Sequence, residues 1–428
     1  MGGHGGKVGS VRTGITPAEA LEIVLEHTPV LGSETVANAD ARDRVLAERI
    51  LSTRQLPPSD NSAMDGFAVR SEDLARASRD HPVVLEVVYE VPAGGSPERP
   101  IGAGEAARVF TGAPIPPGSD AVVRQEDTDR DEDRVTVFSA PEPHTHIRNA
   151  GEDVDVGDRV LEPGAVVGPA EIGMLAALGR SVVAVHQRPG VAILSGGDEL
   201  VEPDGDTSGG RIVSSNSYSM AAQCLEVGAE PVYLGIARDT PEDIERRLRA
   251  GLGADVLVSS AGVSVGDRDY VRGVLEKLGC SLLFWGVNMK PGYPMAFGRF
   301  ESGSGPVVFG LPGNPVSAMM TFEQFVRPAL RKMAGRRSLF RPTVRARLAE
   351  RFEKRDGRLH FVRVDLAREG DEVVARSAGN QSSGVMRSML LARGLLIFPA
   401  DASELREGET ATVQILDEDF FTSRTPAF

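Results

Sequence analysis

The chain has 428 residues, 41% hydrophobic and 25% charged, an ordinary globular balance with length for about two to four domains. Its net charge of -14 excludes a global basic field for nucleic acid or an anionic membrane surface, so any anionic ligand must be held by local lysines and arginines. Two cysteines, Cys224 and Cys280, are too few for a disulfide framework or a structural zinc site; core roles and a reducing compartment are expected. The opening MGGHGGKVGS lacks an apolar core for a secretory signal and a Ser or Thr at position 6 for myristoylation. With no apolar run long enough to span a bilayer, a soluble cytoplasmic protein is expected.

Residues 1–13 read as a flexible start. The first helix is announced by TPAEALEIVLEH: Thr16 can cap, Pro17 suits the first turn, and Glu19 completes a capping box, with Leu21, Val24 and Leu25 on one face. Val45, Leu46 and Ile50 suggest a second helix. From residue 57 the texture becomes β-like, with alternation in VVLEVVYEV (83–91) and RVTVF (134–138) and Pro/Gly punctuation between. His144 and His146, in PEPHTHI, lack a third ligand nearby and read as solvent-facing. Helical pattern returns in GPAEIGMLAALG (168–179), between Pro169 and Gly179. These features predict a split helical domain over 14–55 and 149–187, interrupted by a β-rich domain over 56–148.

Residues 188–336 alternate the strands GVAIL, EPVYLGIA, DVLVSS and GPVVFG with helices at 217–227, 241–251, 269–278 and 315–333. Apolar strands alternating with helices predict a mostly parallel sheet covered on both faces. Residues 337–428 return to alternation in VRARLAE, LHFVRVDL and ATVQIL, predicting a small β barrel or sandwich. The fold class is therefore a multidomain α/β plus β protein.

Three strands of the α/β domain end in loops of small residues: SGGDEL (195–200), SSAGVSVGDRD (259–269) and LPGNPVS (311–317). Ligands bind outside the carboxyl ends of such strands, where glycines admit backbone N–H groups to an anion and serines add hydroxyl donors. Asn314 is placed to cap the helix that Pro315 begins. Asp198, Glu199, Asp239 and Asp269 follow strand ends, where hard carboxylate oxygens suit Mg²⁺ beside phosphates. There is no Walker A loop, no GxGxxG opening a helix and no Ser-His-Asp context. The pattern points to a nucleotide or a phosphorylated cofactor; as isolated residues, the acids read equally as caps and surface charges.

In order along the chain stand DNSAMDGFAVR, TGAPIPPGSDAVVRQEDT, RNAGEDV, SGGDEL, VSVGDRDY, MKPGYPMAFG and LPGNPVSA. Together they resemble the molybdopterin molybdenumtransferases, the MoeA family that includes the gephyrin E domain, from about residue 14 to the C-terminus. The resemblance implies Mg²⁺-dependent insertion of molybdate into adenylylated molybdopterin with release of AMP. It implies a split helical domain, an inserted β domain, an α/β molybdopterin-binding domain and a C-terminal β barrel. It also implies an elongated homodimer whose cleft is partly closed by the partner's inserted domain, and contact with other molybdenum-cofactor biosynthesis proteins. By match to the family motifs, Asp60, Thr111, Glu199, Asp239, Asp269 and Lys290 are expected catalytic positions, with Glu199, Asp239 and Asp269 as metal ligands. Ser195, Gly196, Gly197, Asn216, Ser260, Gly262, Ser264, Gly266, Pro312, Gly313, Asn314, Ser317, Arg363 and Ser383 are expected in the binding site. This chain departs from the family at Tyr293, where a second lysine is frequent, at Ala261, where a glycine is usual, and at Gly196, where a threonine is usual. The alternatives are a catalytically altered or non-catalytic molybdopterin-binding scaffold of the same family, and an adenylyltransferase acting one step earlier.

Overall fold

The computed structural model describes residues 11–131, 133–260, 270–300 and 305–422. The chain divides into two compact units, one of residues 1–35, 43–47 and 184–428, the other of 36–42 and 48–183.

The larger unit is built on a seven-stranded sheet. Its strands are β1 (Arg12–Ile15), β2 (Gly190–Gly196), β3 (Glu230–Ala237), β4 (Val256–Ser260), β5 (Cys280–Val287), β6 (Ala296–Phe300) and β7 (Val307–Leu311). They lie in the order β1-β5-β6-β7-β4-β2-β3. The four strands from β7 to β3 run parallel, as their continuous apolar runs require; β6 is antiparallel to both neighbours, and β1 joins the far edge parallel to β5. Successive residues of each strand feed opposite cores. Val191, Ile193, Val256, Val258, Val307 and Phe309 enter one, whereas Leu194, Leu257 and Val308 enter the other.

Helices α1 (Pro17–Glu26), α2 (Ser215–Glu226), α3 (Pro241–Gly251), α4 (Tyr270–Lys277), α5 (Pro315–Thr321) and α6 (Arg327–Met333) cover the sheet. A π-helical turn, Phe322–Val326, joins the last two. The capping box at Thr16 forms: Thr16 donates its backbone N–H to Glu19 Oε2 at 2.8 Å, and Glu19 donates its own to Thr16 Oγ1 at 3.2 Å. Helix α1, expected to open the split helical domain, packs instead on β5 and α6 through Ala20, Ile23 and Val24. The reason is β1, whose pairing with β5 ties the chain start to the α/β sheet. Nor do Val45, Leu46 and Ile50 form a helix: Leu46 bridges Val185 and Ile50 opens a two-residue strand, so their side chains are buried by strand pairing.

Five further strands close into a barrel: β8 (Thr343–Leu348), β9 (Leu359–Glu369), β10 (Glu372–Ser377), β11 (Gly394–Phe398) and β12 (Thr410–Ile415). The ring runs β9-β10-β8-β12-β11 and returns to β9. Val364, Leu366, Ala375, Leu396, Phe398 and Val413 fill its interior, while Phe361 and Leu395 join the α/β core.

In the other unit, six strands between Gly66 and Val137 form one sheet. A helix follows at Pro169–Ala177, and Gly179 (φ +74°) ends it. His144 is exposed as expected, but His146 is half-buried, its Nδ1 3.0 Å from the Val122 carbonyl oxygen. Among the described residues, no helix is long and apolar enough to cross a membrane.

Candidate active site

At the carboxyl ends of β2 and β4 the expected hydroxyls meet. Ser195 Oγ lies 3.4 Å from Ser260 Oγ and accepts from Ser214 Oγ at 3.0 Å; Ser217 Oγ is 3.2 Å from Ser214. All four are buried, so these hydroxyls satisfy one another and brace the strand ends. Gly196 is half-buried at the end of β2, and Gly197 takes φ +141°, a conformation that L side chains rarely adopt. A Cβ on Gly197 would meet only the exposed carboxylate end of Glu199, which can swing away, so it is the backbone conformation and not crowding that calls for glycine. The loops after β2 and β3 hold each other: Asp198 donates its backbone N–H to Asp239 Oδ2 at 3.4 Å, and Asp239 donates to Asp198 Oδ1 at 3.3 Å. Asn216 Nδ2 donates to the Gly313 carbonyl at 2.8 Å, tying α2 to the loop after β7.

Glu199 and Asp239 are exposed carboxylates on these joined loops. Among the described residues no group of three His, Cys, Asp or Glu side chains could hold a metal. The donors still suit Mg²⁺, which is commonly bound by one or two carboxylates with substrate phosphates and water completing its shell. Asp269, Gly262, Ser264 and Gly266 lie outside the described residues, as does Ala261.

A second region faces the barrel. A cleft of about 770 Å³ is lined by Lys290, Tyr293, Pro312, Asn314, Ser317, Arg363 and Ser383. Five separate segments build it, the fifth being Phe398 of β11. The two-residue strand Met289–Lys290 pairs with Leu359–His360 at the start of β9, setting Lys290 beside His360. Val316 donates its backbone N–H to the Ser383 carbonyl at 3.1 Å, fixing the barrel loop to the start of α5. Asn314 occupies the cap position of that helix, but its side chain makes no capping bond.

Arg363 is only 1% exposed and holds the 380–383 loop. Its Nε donates to Ser388 Oγ at 2.9 Å, and its Nη2 to the carbonyls of Asn380 and Ser382 at 3.2 and 3.3 Å. Every one of these acceptors is neutral. Burial pushes the guanidinium down to about 10, which still leaves it charged at neutral pH. Sequence reasoning missed several neighbours in the KRDGRLH turn. Asp356 takes Arg358 at 2.7 Å and His360 Nε2 at 2.6 Å, with Lys290 Nζ at 3.7 Å. Burial acts against the Asp356 charge, but bonds from Arg358 and His360 outweigh it and hold the carboxyl well below the usual range. The available signal was the density of charge just before a strand. In all, the cleft wall carries five permanent cations, Lys290, Lys354, Arg355, Arg358 and Arg363, against the carboxylates of Glu353 and Asp356. In a chain of net charge -14, that local excess of positive charge would favour an anionic ligand.

Tyr293 packs edge-on against Trp285, with ring centroids 5.8 Å apart, and the Arg358 guanidinium lies 5.9 Å from its ring centroid. Asp60 and Thr111 belong to the other unit and are exposed there. Asp60 Oδ1 accepts from the Ala150 N–H at 2.7 Å. Thr111 donates its N–H and its hydroxyl to Asp65 Oδ1 at 2.7 and 2.8 Å. Asp65, the second acid of DNSAMDG, thus organises the Thr111 turn and was not singled out from sequence. Both cysteines are buried, and desolvation pushes each thiol up to about 12, as core residues should behave; Cys280 opens a strand and not a helix.

Comparison with known proteins covers most of the chain. Residues 15–179 match the MoeA N-terminal region (domain I and II), 192–332 a probable molybdopterin binding domain, and 345–416 the MoeA C-terminal region (domain IV). A molybdopterin molybdenumtransferase of a Nostoc species is 38% identical over 408 residues, 92% of each chain. Molybdopterin molybdenumtransferase 2 of Mycobacterium tuberculosis is 37% identical, covering 91% of this chain and 96% of its own. The crystal structure of the molybdopterin biosynthesis moea protein from Pyrococcus horikosii superposes with a TM-score of 0.81 at 32% identity, covering 94% of this chain and 99% of that one. The chain therefore belongs to the MoeA family of molybdopterin molybdenumtransferases, enzymes of molybdenum cofactor biosynthesis.

Proposed function

We propose that the chain inserts molybdate into adenylylated molybdopterin, releasing AMP, with Mg²⁺ required, and that it does so as a cytoplasmic homodimer. The observation that carries this reading is the cleft with buried Arg363, whose uncompensated charge would select a small dianion. Arg363 and Lys290 would bind the oxyanion there, with Ser383 and Ser317 in the same wall. The strand-end loops at Ser195–Gly197, Ser260 and Pro312–Asn314 would hold the pterin phosphate, with Asn216 fixing the last of them. Glu199, Asp239 and Asp269 would hold Mg²⁺, which when bound neutralises charge on the phosphoanhydride. Asp60 and Thr111 are proposed functional positions of the other unit.

The test is AMP release from adenylylated molybdopterin by the full chain, with and without molybdate and Mg²⁺. Release that needs both supports the reading. Tight pterin binding without release under any condition would replace it with the scaffold. Asp269→Asn separates the metal from the fold: AMP release should be lost while the circular dichroism spectrum stays unchanged.

A further inference from the structure

One group in the wall of the cleft can change charge near neutral pH, and it is His360. Its backbone is fixed from both sides, by Lys290 across the parallel pair and by Phe398 of β11 across the antiparallel one. Its ring stands edge-on to Phe398, centroids 6.2 Å apart, and only 12% of the side chain is exposed. The charged groups around it come from two elements. From the turn before β9, Asp356 bonds Nε2, Arg358 pairs with that same carboxylate, and Lys354 lies over the Phe398 ring; from the neighbouring strand comes Lys290. Strand β11 presents only the Phe398 ring, and Asp401 beyond it faces Lys354.

The geometry fixes the tautomer. With Nε2 2.6 Å from Asp356 Oδ1, a neutral ring places its proton on Nε2. Nδ1 then carries a lone pair, and it makes no hydrogen bond among the described residues. A lone pair repels an incoming oxyanion, whereas a protonated Nδ1 offers both a donor and a charge. Burial, helped by the ammonium groups of Lys290 and Lys354 and opposed by Asp356, pushes the imidazole below its usual value, so the empty cleft favours the neutral ring.

Resting on the cleft being an oxyanion site, we propose that His360 makes oxyanion capture proton-linked. Entry of a tetrahedral dianion draws one proton from solvent onto Nδ1, and the imidazolium, still bonded to Asp356, adds a charge to those of Arg363 and Lys290. No bond other than N–H forms, and the proton returns to solvent when the anion leaves. The sign follows from linkage. The anion raises the His360 pKa, so affinity falls as pH rises between the free and bound values, by at most about tenfold per pH unit, and is flat outside that window.

The test is calorimetric titration of the full chain with sodium molybdate near neutral pH, in two buffers of different protonation enthalpy. Wild type should take up a substantial fraction of a proton per molybdate. His360→Gln, which keeps an amide able to donate to Asp356, should bind several-fold more weakly at about pH 6.5, match wild type at about pH 9, and take up no proton. Independently of any variant, the His360 ring resonance of wild type should titrate at higher pH with molybdate than without. Binding without proton uptake, a glutamine variant with wild-type uptake, or an unmoved resonance would overturn the proposal. A wild type that binds no molybdate, or an Arg363→Ala variant that binds it as tightly as wild type, fails differently. It removes the oxyanion reading of the cleft and this proposal with it.

Discussion

At the strand ends, Ser195, Ser214, Ser217 and Ser260 pair their hydroxyls with one another, and the joined loops beside them carry the exposed carboxylates of Asp198, Glu199 and Asp239. In the barrel-side cleft the arrangement is reversed: Arg363 is just as buried, yet its charge meets only neutral oxygens. A neutral hydroxyl cluster can be closed within itself, because each member both donates and accepts. A guanidinium has five donors and no acceptor, so it stays electrostatically unbalanced until an anion arrives. The first region is thus a rigid platform, and the second a preorganised charge.

The joint between the α/β layer and the barrel offers the largest break in that comparison. Glu323, on the π-helical turn after α5, pairs with Arg341 at 2.8 Å and Arg327 at 3.3 Å, and all three are buried. Glu323→Gln would leave the two buried guanidinium groups with only the more exposed Glu226, and for Arg341 also Glu418, as counter-charges, costing up to about 3 kcal/mol in urea unfolding. Because α5 begins in the cleft wall, a variant that still folds should lose molybdate affinity before pterin affinity. Equal losses of both would mean that the regions are not independent.

Arg363→Ala comes next. Loss of a desolvated, charge-assisted contact should weaken molybdate binding by about 2 to 5 kcal/mol, on the order of 30-fold to several thousand-fold. Arg363→Lys should recover only part, since a point charge lacks the planar fork that reaches Ser388 and the loop carbonyls together. Unchanged binding in the alanine variant would make Arg363 a brace for the 380–383 loop and nothing more.

The two regions also differ in how far they could be read from sequence. The strand-end platform is more local: at β7 an apolar strand, a small-residue loop and the start of α5 follow one another within about a dozen residues, and β2 and β4 were legible with Ser195 and Ser260, whereas Ser214 and Ser217 were not singled out. The cleft is assembled from Lys290, the 312–317 loop, the 354–363 turn, the 380–383 loop and Phe398, which only barrel closure brings together. Motif resemblance found Lys290, Arg363 and Ser383 one at a time, but the Asp356–His360 pair had no motif to carry it. Long-range pairing explains the misplaced start as well. Nothing between residues 12 and 26 announces that β1 will pair with β5 some 270 residues later, or that α1 will follow it onto the sheet.

A smaller effect separates the regions by pH. The Asp356 carboxyl is held below its usual range, so its contribution to stability is fully present above the unfolded value of about 3.9 and is lost as pH falls through the lower folded value. Asp356→Asn should therefore be less stable than wild type by about 1 to 2 kcal/mol at neutral pH, and the gap should close only below about pH 4. A gap that is constant from neutral pH down through the acid transition would show that the pairing with Arg358 and His360 adds nothing beyond packing.

The smallest effect belongs to the platform. Ser195→Ala removes the acceptor for Ser214 Oγ and the neighbour of Ser260 Oγ, leaving both with fewer partners in a buried site. The cost should be about 0.5 to 1.5 kcal/mol, because Ser214 keeps Ser217 within reach and only one small atom is removed. No charge is involved, so the loss should be the same at pH 5 as at about pH 8, unlike the loss of molybdate affinity expected for His360→Gln. Its functional share should fall on the pterin, whose affinity would drop about two- to tenfold if the strand-end carbonyls and amides shift when the hydroxyl bracing is lost. The informative outcome is the cross term with Arg363→Ala. Additive losses in the double variant would mean that platform and charge act as separate binding elements, as their geometry implies. Coupling beyond about 0.5 kcal/mol would mean that the strand ends set the position of the cleft wall, through Asn216 and the Gly313 carbonyl that it holds.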